Sequence, residues 1–194
     1  MFDHTRTPHR RYILALLAST LAAPGVPAVA QQITRPTAFA FSFAGLGGGD
    51  IRLANHSGKP MLIVNTASQC GYTPQLAGLQ ELWKRYGSRG LLVIGVPSND
   101  FGGQEPGTPN EIMQTANHRY GVNFPLAAKV VVSGPNAHPF YKWASLERPG
   151  AVPRWNFHKF LIGREGRIVG SFPAAVDPMD PEILAAIERE LPAI

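Results

Sequence analysis

The sequence is poor in cysteine, since its 194 residues include only Cys70. A single thiol excludes an internal disulfide within the chain. It also excludes the two-thiol cycle of a Cys-x-x-Cys oxidoreductase, because Thr73 stands where the second thiol is needed. The histidines are scattered, with no pair at helical ligand spacing, so we expect no metal site.

Charge is also sparse in this chain. Charged residues make up 16% of it and the formal net charge is +5, without a dense block of lysine and arginine. Three of the arginines, Arg6, Arg10 and Arg11, precede the first apolar run, so the remainder is only mildly basic. We therefore expect no nucleic-acid partner. The glycine-rich segment 97–107 lacks the Gly-x-Gly-x-x-Gly and Gly-Lys-Ser/Thr patterns, which argues against a phosphate-binding loop.

The sequence has no apolar run at its N-terminal end as long as the roughly 20 residues of a membrane-spanning helix. The first run follows Arg10-Arg11, continues to about Ala23 and is ended by prolines and a glycine. Ala28-Val29-Ala30 then fits the small-x-small cleavage pattern. We expect a signal peptide over residues 1–30, cleaved near Ala30, and a periplasmic or secreted protein. Sec and twin-arginine export both remain open. No lipid-carrying cysteine follows, so we expect no stable membrane anchor.

Cys70 lies between a predicted strand and a predicted helix. The run Met61–Asn65, apolar as far as Val64, is typical of a buried strand. Thr73 and Pro74 have the residue types of an N-cap and a first helical position. A thiol just before a helix N-terminus is close to backbone N–H groups and a partial positive charge, which favour the nucleophilic thiolate. A free cysteine is often an inert core residue. Two observations favour a reactive role instead. The neighbours of Cys70 are polar, and an unpaired thiol in an oxidising compartment is a liability unless it has a function.

The rest of the chain alternates between strand and helix patterns. An N-terminal β-hairpin is predicted from the alternation of Phe39, Phe41 and Phe43 and from the run Ile51–Leu53. Further strands are predicted at 91–96, 130–132, 157–162 and 167–172, and helices at 74–86, 109–120, 139–146 and from 180 onwards. A β-α-β unit followed by a hairpin and a helix indicates an α/β thioredoxin-like fold: a central mixed β-sheet flanked by helices, with an N-terminal β-hairpin. Residues 31–194 are expected to form this one domain.

Five strings occur in a fixed order along nearly the whole domain, from about Phe39 to Leu191. They are Ile63–Gln75, Asn99–Gly107, Tyr120–Pro125, Gly134–Pro139 and Trp155–Leu161. Together they resemble the glutathione peroxidase family. The resemblance implies a thioredoxin-like fold and an oxidoreductase, a thiol-dependent peroxidase that takes part in the response to oxidative stress. Cysteine stands where some members of the family carry selenocysteine.

The resemblance also implies a peroxidatic centre of four residues, which map onto Cys70, Gln104, Trp155 and Asn156. The Cys70 thiolate would attack the O–O bond of hydrogen peroxide or of an organic or lipid hydroperoxide, and become a sulfenic acid. The two amides and the indole N–H can donate hydrogen bonds to the oxygen that departs with negative charge. Such fixed donors contribute roughly 2.7–4 kcal/mol each in the best-studied case.

The chain departs from the family pattern at three positions. Ser98 and Asp100 replace a cysteine and a glutamine, and Ala116 stands where thioredoxin-dependent members carry a resolving cysteine. An external thiol must therefore reduce the sulfenic acid; glutathione is the simplest candidate, and no prosthetic cofactor is expected. The loop that tetrameric members insert before Trp155 is absent, which predicts a monomer. A non-catalytic thioredoxin-fold binding or redox-sensing protein is the alternative.

Overall fold

The structure, a computed structural model, describes Met1 and residues 35–192. Apart from Met1, the expected signal peptide (residues 1–30) lies outside the described residues. The fold is α/β, with a four-stranded mixed sheet and a separate two-stranded antiparallel hairpin. The strands of residues 35–192 are β1 (Ser42–Ala44), β2 (Asp50–Arg52), β3 (Met61–Thr66), β4 (Leu92–Pro97), β5 (Lys159–Ile162) and β6 (Ile168–Phe172).

The order of the sheet brings three distant segments to one edge. Its strands follow the order β4-β3-β5-β6. β3 and β4 are parallel and in register up to Thr66 opposite Pro97, so the loops after them leave the sheet at the same edge. β5 is antiparallel to β3, with Lys159 opposite Val64. The turn that enters β5 therefore meets the loops that follow β3 and β4.

Helices flank this sheet. In the described part of the chain they are α1 (Gln75–Tyr86), α2 (Pro109–Gln114), α3 (Pro139–Glu147) and α4 (Pro181–Glu190). A proline at the first helical position and an N-cap side chain begin α2, α3 and α4, the caps being Thr108, His138 and Asp180. A π-helical turn, Thr115–Arg119, extends α2. Within residues 35–192 none of the helices is long and apolar enough to cross a membrane.

Both faces of the sheet are buried, because successive strand side chains alternate between two apolar clusters. Leu62 packs on one face with Leu79 of α1 and Ile183 of α4. Ile63 packs on the other face with Phe140 of α3. All the residues of β3 and β4 are buried, as the largely apolar runs predict for central strands. The predicted mixed sheet flanked by helices and the N-terminal hairpin are confirmed.

The N-terminal half of the first strand predicted for the hairpin is wrong. Residues Ala38–Ala40 form a 3₁₀ turn, and β1 begins only at Ser42. The alternation of Phe39, Phe41 and Phe43 instead reflects packing, since Phe43 belongs to a buried apolar cluster and the partly buried Phe39 and Phe41 pack against it. Aromatic side chains at alternate positions can pack on one side of either an extended strand or a tight turn, so the alternation fits both structures.

The predicted strand Val130–Val132 is also wrong, because this segment joins no sheet. The Val130 N–H donates to the Pro97 carbonyl (3.0 Å), and the Val132 N–H donates to the Asp100 carboxylate (2.7 Å). The segment thus makes single hydrogen bonds to the end of a strand and to a side chain, instead of the regular backbone hydrogen bonds of a sheet. The other predicted elements are confirmed. Their boundaries differ by one or two residues, except that the α-helix predicted over 109–120 ends at Gln114 and continues as a π-helical turn to Arg119.

Candidate active site

Thr73 fixes the backbone of the loop that carries Cys70. The Thr73 hydroxyl accepts a hydrogen bond from the Cys70 N–H (3.0 Å) and donates to the Ala67 carbonyl (2.9 Å). The prediction that Thr73 is the N-cap of α1 is therefore wrong. The helix begins at Gln75, and Pro74 takes the cap position without a side-chain hydrogen bond. The Thr73 hydroxyl makes its hydrogen bonds inside the loop, where it accepts from the Cys70 N–H, and not at the start of α1.

The Cys70 sulfur lies between β3 and α1, as the sequence predicts, and it accepts a hydrogen bond from a backbone donor. The Tyr72 nitrogen is 3.4 Å from Cys70 Sγ. The side chain is only 7% exposed and belongs to the apolar cluster beneath α1. A backbone N–H directed at sulfur stabilises negative charge there, and a nucleophilic thiol carries that charge when it reacts.

Gln104 lies in the loop that follows β4, beside the Cys70 loop. The Gln104 carbonyl accepts a hydrogen bond from the Gln69 N–H (3.0 Å), and this contact joins the two loops. Gly102 and Gly103 have φ angles of +68° and +63°, which a residue with a side chain would adopt only with strain. These glycines therefore form the turn that presents Gln104.

The side chains of Gln104 and Asn156 are hydrogen-bonded to each other. Asn156 Nδ2 donates to Gln104 Oε1 (2.9 Å), and it also lies 3.3 Å from the Phe101 carbonyl. Asn156 is fully buried. Because Gln104 Oε1 is occupied by Asn156, Gln104 Nε2 remains a donor. Gln104 Nε2 has no hydrogen-bond partner among the described residues.

Trp155 stands at the wall of a cleft, next to the residues just described. It is 40% exposed, and its ring centroid lies 6.1 Å from that of Phe101, in the loop after β4. The cleft has a volume of about 910 Å³, and its lining includes Tyr72, Trp155 and two cationic side chains, Arg148 and Arg154. Within residues 35–192 the Trp155 indole N–H has no hydrogen-bond acceptor, so it too remains a donor.

His158 lines the same cleft and is paired with Ser171, with Nε2 and Oγ 2.9 Å apart. Burial, reinforced by the positive charge of Lys159, lowers the pKa of His158 to about 4. The imidazole is therefore neutral at neutral pH. The positive charge in the cleft comes from its arginines.

The structure thus brings the four predicted residues to one sheet edge, with different degrees of contact. Gln104 and Asn156 touch directly, Trp155 follows next in the chain, and the Cys70 loop is joined to the loop of Gln104. In the described part of the chain, no hydrogen bond links Cys70 Sγ to the other three side chains. Their assignment as catalytic residues therefore stays a prediction at this point.

Sequence reasoning missed two buried polar residues that hold the turn before β5. Asn65 Nδ2 donates to the Trp155 carbonyl (3.1 Å), and Lys159 Nζ donates to the Phe157 carbonyl (2.8 Å). The sequence did contain a signal for both, because Asn65 and Lys159 are polar residues in predicted strands that are otherwise largely apolar. A buried polar side chain needs a partner, and here the partner is the backbone of the candidate site.

Glu105, directly after Gln104, is a second feature that the sequence did not reveal. It is almost completely buried. Burial raises the pKa of its carboxyl, while hydrogen bonds from Ser68 and the charge of Lys129 act in the opposite direction. A glutamate in a loop rich in glycine and proline is usually exposed, so only the packing shows this one. Among residues 35–192 no group of three His, Cys, Asp or Glu side chains is placed to hold a metal ion.

A lone thiol in the loop before a helix, with neutral donors gathered at the same sheet edge, is typical of a thiol-dependent peroxidase on a thioredoxin-like fold. Comparison with known proteins supports this class. The family model described as "Glutathione peroxidase" matches residues 38–145. The chain therefore belongs to the glutathione peroxidase family, and it is an oxidoreductase that acts on peroxides.

Several relatives are similar over most of their length. Hydroperoxy fatty acid reductase gpx1 of Synechocystis sp. is 48% identical over 164 residues, which cover 80% of this chain and 96% of that protein. The glutathione peroxidase homolog BsaA of Staphylococcus epidermidis is 42% identical over 147 residues, covering 74% of this chain and 92% of that protein. Each match covers most of both chains.

Solved structures show the same fold. The crystal structure of Trgpx in apo form has a TM-score of 0.63 and 32% identity, and the match covers 81% of this chain and 99% of that one. A thiol:disulfide interchange protein of the thioredoxin family from Chlorobium tepidum has a TM-score of 0.59 at 17% identity, covering 78% of this chain and 93% of that one. The second match supports the thioredoxin-like fold alone.

Proposed function

We propose that Cys70 is the peroxidatic residue of this enzyme. Its thiolate sulfur attacks one oxygen of the hydroperoxide, the O–O bond breaks, and the departing oxygen takes up a proton to give water or an alcohol. Sulfur supplies the two electrons and becomes a sulfenic acid. The hydrogen bond from the Tyr72 N–H to Cys70 Sγ (3.4 Å) supports this role, because it stabilises the attacking anion.

Gln104 and Trp155 are proposed to donate hydrogen bonds to the departing oxygen, where negative charge develops, and Asn156 is proposed to take part by holding the Gln104 amide in place. The 2.9 Å hydrogen bond from Asn156 to Gln104 carries this proposal, because it fixes the direction of the Gln104 amide and keeps its NH₂ group as a donor. The Gln104 backbone is itself bonded to the loop of Cys70. In a protein without substrate, catalytic hydrogen bonds are often long and shorten only when the reacting atoms are bound.

The sulfenic acid is proposed to be reduced by an external thiol, because the chain has one cysteine. A first thiol displaces water and forms a mixed disulfide with Cys70. A second thiol then attacks the mixed disulfide, which releases the Cys70 thiol and an external disulfide. Ala116, which replaces the resolving cysteine, is buried in the π-helical turn after α2. Glutathione is the proposed reductant.

Organic hydroperoxides, including those of fatty acids, are the proposed substrates alongside hydrogen peroxide. The cleft beside Trp155 has a partly apolar lining that includes Tyr72 and Val152, and its volume of about 910 Å³ suits a bulky substrate. Its arginines, Arg148 and Arg154, are suited to pair with a carboxylate. The relative with 48% identity is named a hydroperoxy fatty acid reductase, which also supports this substrate class.

The place of action and the assembly state are part of the same proposal. The pattern of residues 1–30 supports export to the periplasm or out of the cell. The short segment between α3 and Trp155 supports a monomer. We propose that the enzyme protects an exported compartment, or the lipids that border it, from hydroperoxides.

Steady-state turnover with two alternative reductants tests this function. Reduced protein is assayed with cumene hydroperoxide and either glutathione with its reductase or thioredoxin with its reductase. We expect turnover with glutathione, and none in Cys70→Ser. Turnover that survives Cys70→Ser would contradict the role of Cys70. Turnover with thioredoxin alone would contradict only the proposed reductant.

A further inference from the structure

The turn that carries Trp155 and Asn156 ends in an unusual backbone conformation. Phe157 has a φ angle of +66°, and among residues 35–192 it is the only residue other than glycine with a positive φ. This conformation is unfavourable for a bulky side chain, so it persists only where neighbouring contacts hold it. The contacts that hold Phe157 therefore decide how the two preceding side chains are directed.

Asn65, near the end of β3, binds this turn on both sides of Asn156. Its side-chain Nδ2 donates to the Trp155 carbonyl (3.1 Å), and its backbone carbonyl accepts from the Phe157 N–H (2.6 Å). Asn65 is buried. An apolar residue at this position would keep the backbone contact and lose the side-chain contact, so the amide has a specific partner in the turn.

Lys159, the first residue of β5, binds the same turn through its amine. Lys159 Nζ donates to the Phe157 carbonyl (2.8 Å), and the residue is fully buried. Burial lowers the pKa of the amine to about 8, although the charge of Asp177 acts in the opposite direction. A buried amine is unfavourable unless its hydrogen bonds are made, and the bond to Phe157 is the one that this position provides. An apolar side chain would fill the space without making that bond.

We infer that Asn65 and Lys159 are positioning residues for peroxide reduction. They hold the left-handed turn at Phe157, so that Trp155 faces the reacting oxygen and Asn156 holds the Gln104 amide. The inference rests on the proposed function, since that function gives Trp155 its role as a donor and Asn156 its role in holding Gln104. Asn65 and Lys159 do not touch the substrate in this scheme. They act through the backbone of the turn, and a small rotation of that backbone changes the direction of the Trp155 and Asn156 side chains.

The variant Lys159→Met tests the inference, because methionine is apolar and of similar length but cannot donate to Phe157. The rate constant of sulfenic acid formation with hydrogen peroxide is measured by stopped flow on protein that is folded by circular dichroism. We expect it to fall by about tenfold or more, since a misplacement of about 1 Å can cost about 100-fold. Lys142→Met, which changes an exposed lysine of α3, is the matched control and should leave the rate unchanged.

A double-mutant cycle with Asn156→Ala separates positioning from a general structural role. A residue that acts through Asn156 loses part of its effect when the Asn156 amide is removed. We therefore expect Lys159→Met to slow sulfenic acid formation by a clearly smaller factor in the Asn156→Ala background than in the wild type. Equal factors in the two backgrounds would overturn the inference, and so would an unchanged rate in Lys159→Met alone.

Asn65→Leu gives an independent test, which also applies if Lys159→Met does not fold. Leucine has a similar size and removes the side-chain donor to Trp155, while the backbone contact to Phe157 remains. Slower sulfenic acid formation, coupled to Asn156→Ala, is expected; an unchanged rate would overturn the inference. If Asn156→Ala itself has no effect, the role of Asn156 in the proposed function fails. If Asn156→Ala is slow but the positioning variants are unaffected, the inference alone fails.

Discussion

Asn156 determines the direction of the Gln104 side chain, because Asn156 Nδ2 lies 2.9 Å from Gln104 Oε1. A glutamine amide can be turned so that either its oxygen or its nitrogen faces a given point. With the oxygen held by a fully buried asparagine, the nitrogen is left to donate. Two residues that are far apart in sequence thus form one unit, and the loss of either should impair the other.

Replacing Gln104 by glutamate tests this unit with little change of shape. In Gln104→Glu the carboxylate can still accept from Asn156, but it has no N–H to donate and adds negative charge where negative charge develops. We expect the rate constant for oxidation by hydrogen peroxide to fall by about 100-fold or more. Stopped-flow measurement on reduced protein provides this rate constant.

Gln114→Glu is the control for that variant, because Gln114 is an exposed residue of α2 that contacts none of the site residues named above. It should react with hydrogen peroxide at the wild-type rate. If Gln104→Glu also reacts at the wild-type rate, Gln104 is not a donor in the reaction.

Thr73→Val removes the hydroxyl that accepts from the Cys70 N–H. A buried N–H is then left without a partner, which we expect to lower the free energy of unfolding by about 1–3 kcal/mol. Urea denaturation measures this loss. Thr73→Ser keeps the hydroxyl and should lose clearly less stability than Thr73→Val. The opposite order would show that the methyl group of Thr73, and not its hydrogen bonds, stabilises the loop.

His158 is expected to make the protein sensitive to acid. The folded protein holds the pKa of His158 at about 4, against 6.5 for the ordinary side chain. Between these values the unfolded chain binds more protons than the folded one, so stability rises with pH. The contribution is complete above the ordinary pKa and is lost as the pH falls through the folded pKa. It amounts to about 3 kcal/mol at most.

Chemical denaturation as a function of pH checks this contribution in His158→Gln, which keeps a polar partner for Ser171. The difference in free energy of unfolding, wild type minus variant, should increase from pH 4 to pH 6.5 and then remain constant. A difference that is independent of pH over this range would show that His158 is not held neutral by the fold.

Arg148 provides a test of the carboxylate-binding side of the cleft. Arg148→Gln should raise the KM for a fatty-acid hydroperoxide by about threefold, as expected for an exposed ion pair. The methyl ester of the same hydroperoxide and hydrogen peroxide should be reduced as by the wild type. Arg164→Gln, an exposed arginine outside this cleft, is the control. An equal change for acid and ester would mean that Arg148 does not recognise the carboxylate.

Much of the fold was predictable because burial leaves a clear pattern in this chain. The runs at β3 and β4 are largely apolar, since both faces of these strands are covered. Asp180 before Pro181 marked the start of α4, and the structure shows its carboxylate accepting from the Glu182 N–H (2.8 Å). Local chemistry of this kind acts over a few residues, so it can be read along the sequence.

Contacts between distant segments were less predictable. Thr73 has the residue type of an N-cap, but its hydroxyl binds inside the Cys70 loop because a closer partner is available there. Asp100 accepts from the backbone of Val132 across 32 positions, which removes that segment from any sheet. The roles of Asn65 and Lys159 depend in the same way on a turn that only the folded chain brings near them.

The most direct measurement is the reaction of reduced protein with hydrogen peroxide, followed by stopped flow and by trapping of the sulfenic acid with dimedone. The wild type should be oxidised far faster than free cysteine under the same conditions, with one trapped adduct per chain on Cys70, and Cys70→Ser should give no adduct. A rate no greater than that of free cysteine, or an adduct that persists in Cys70→Ser, would contradict a peroxidatic thiol at this position.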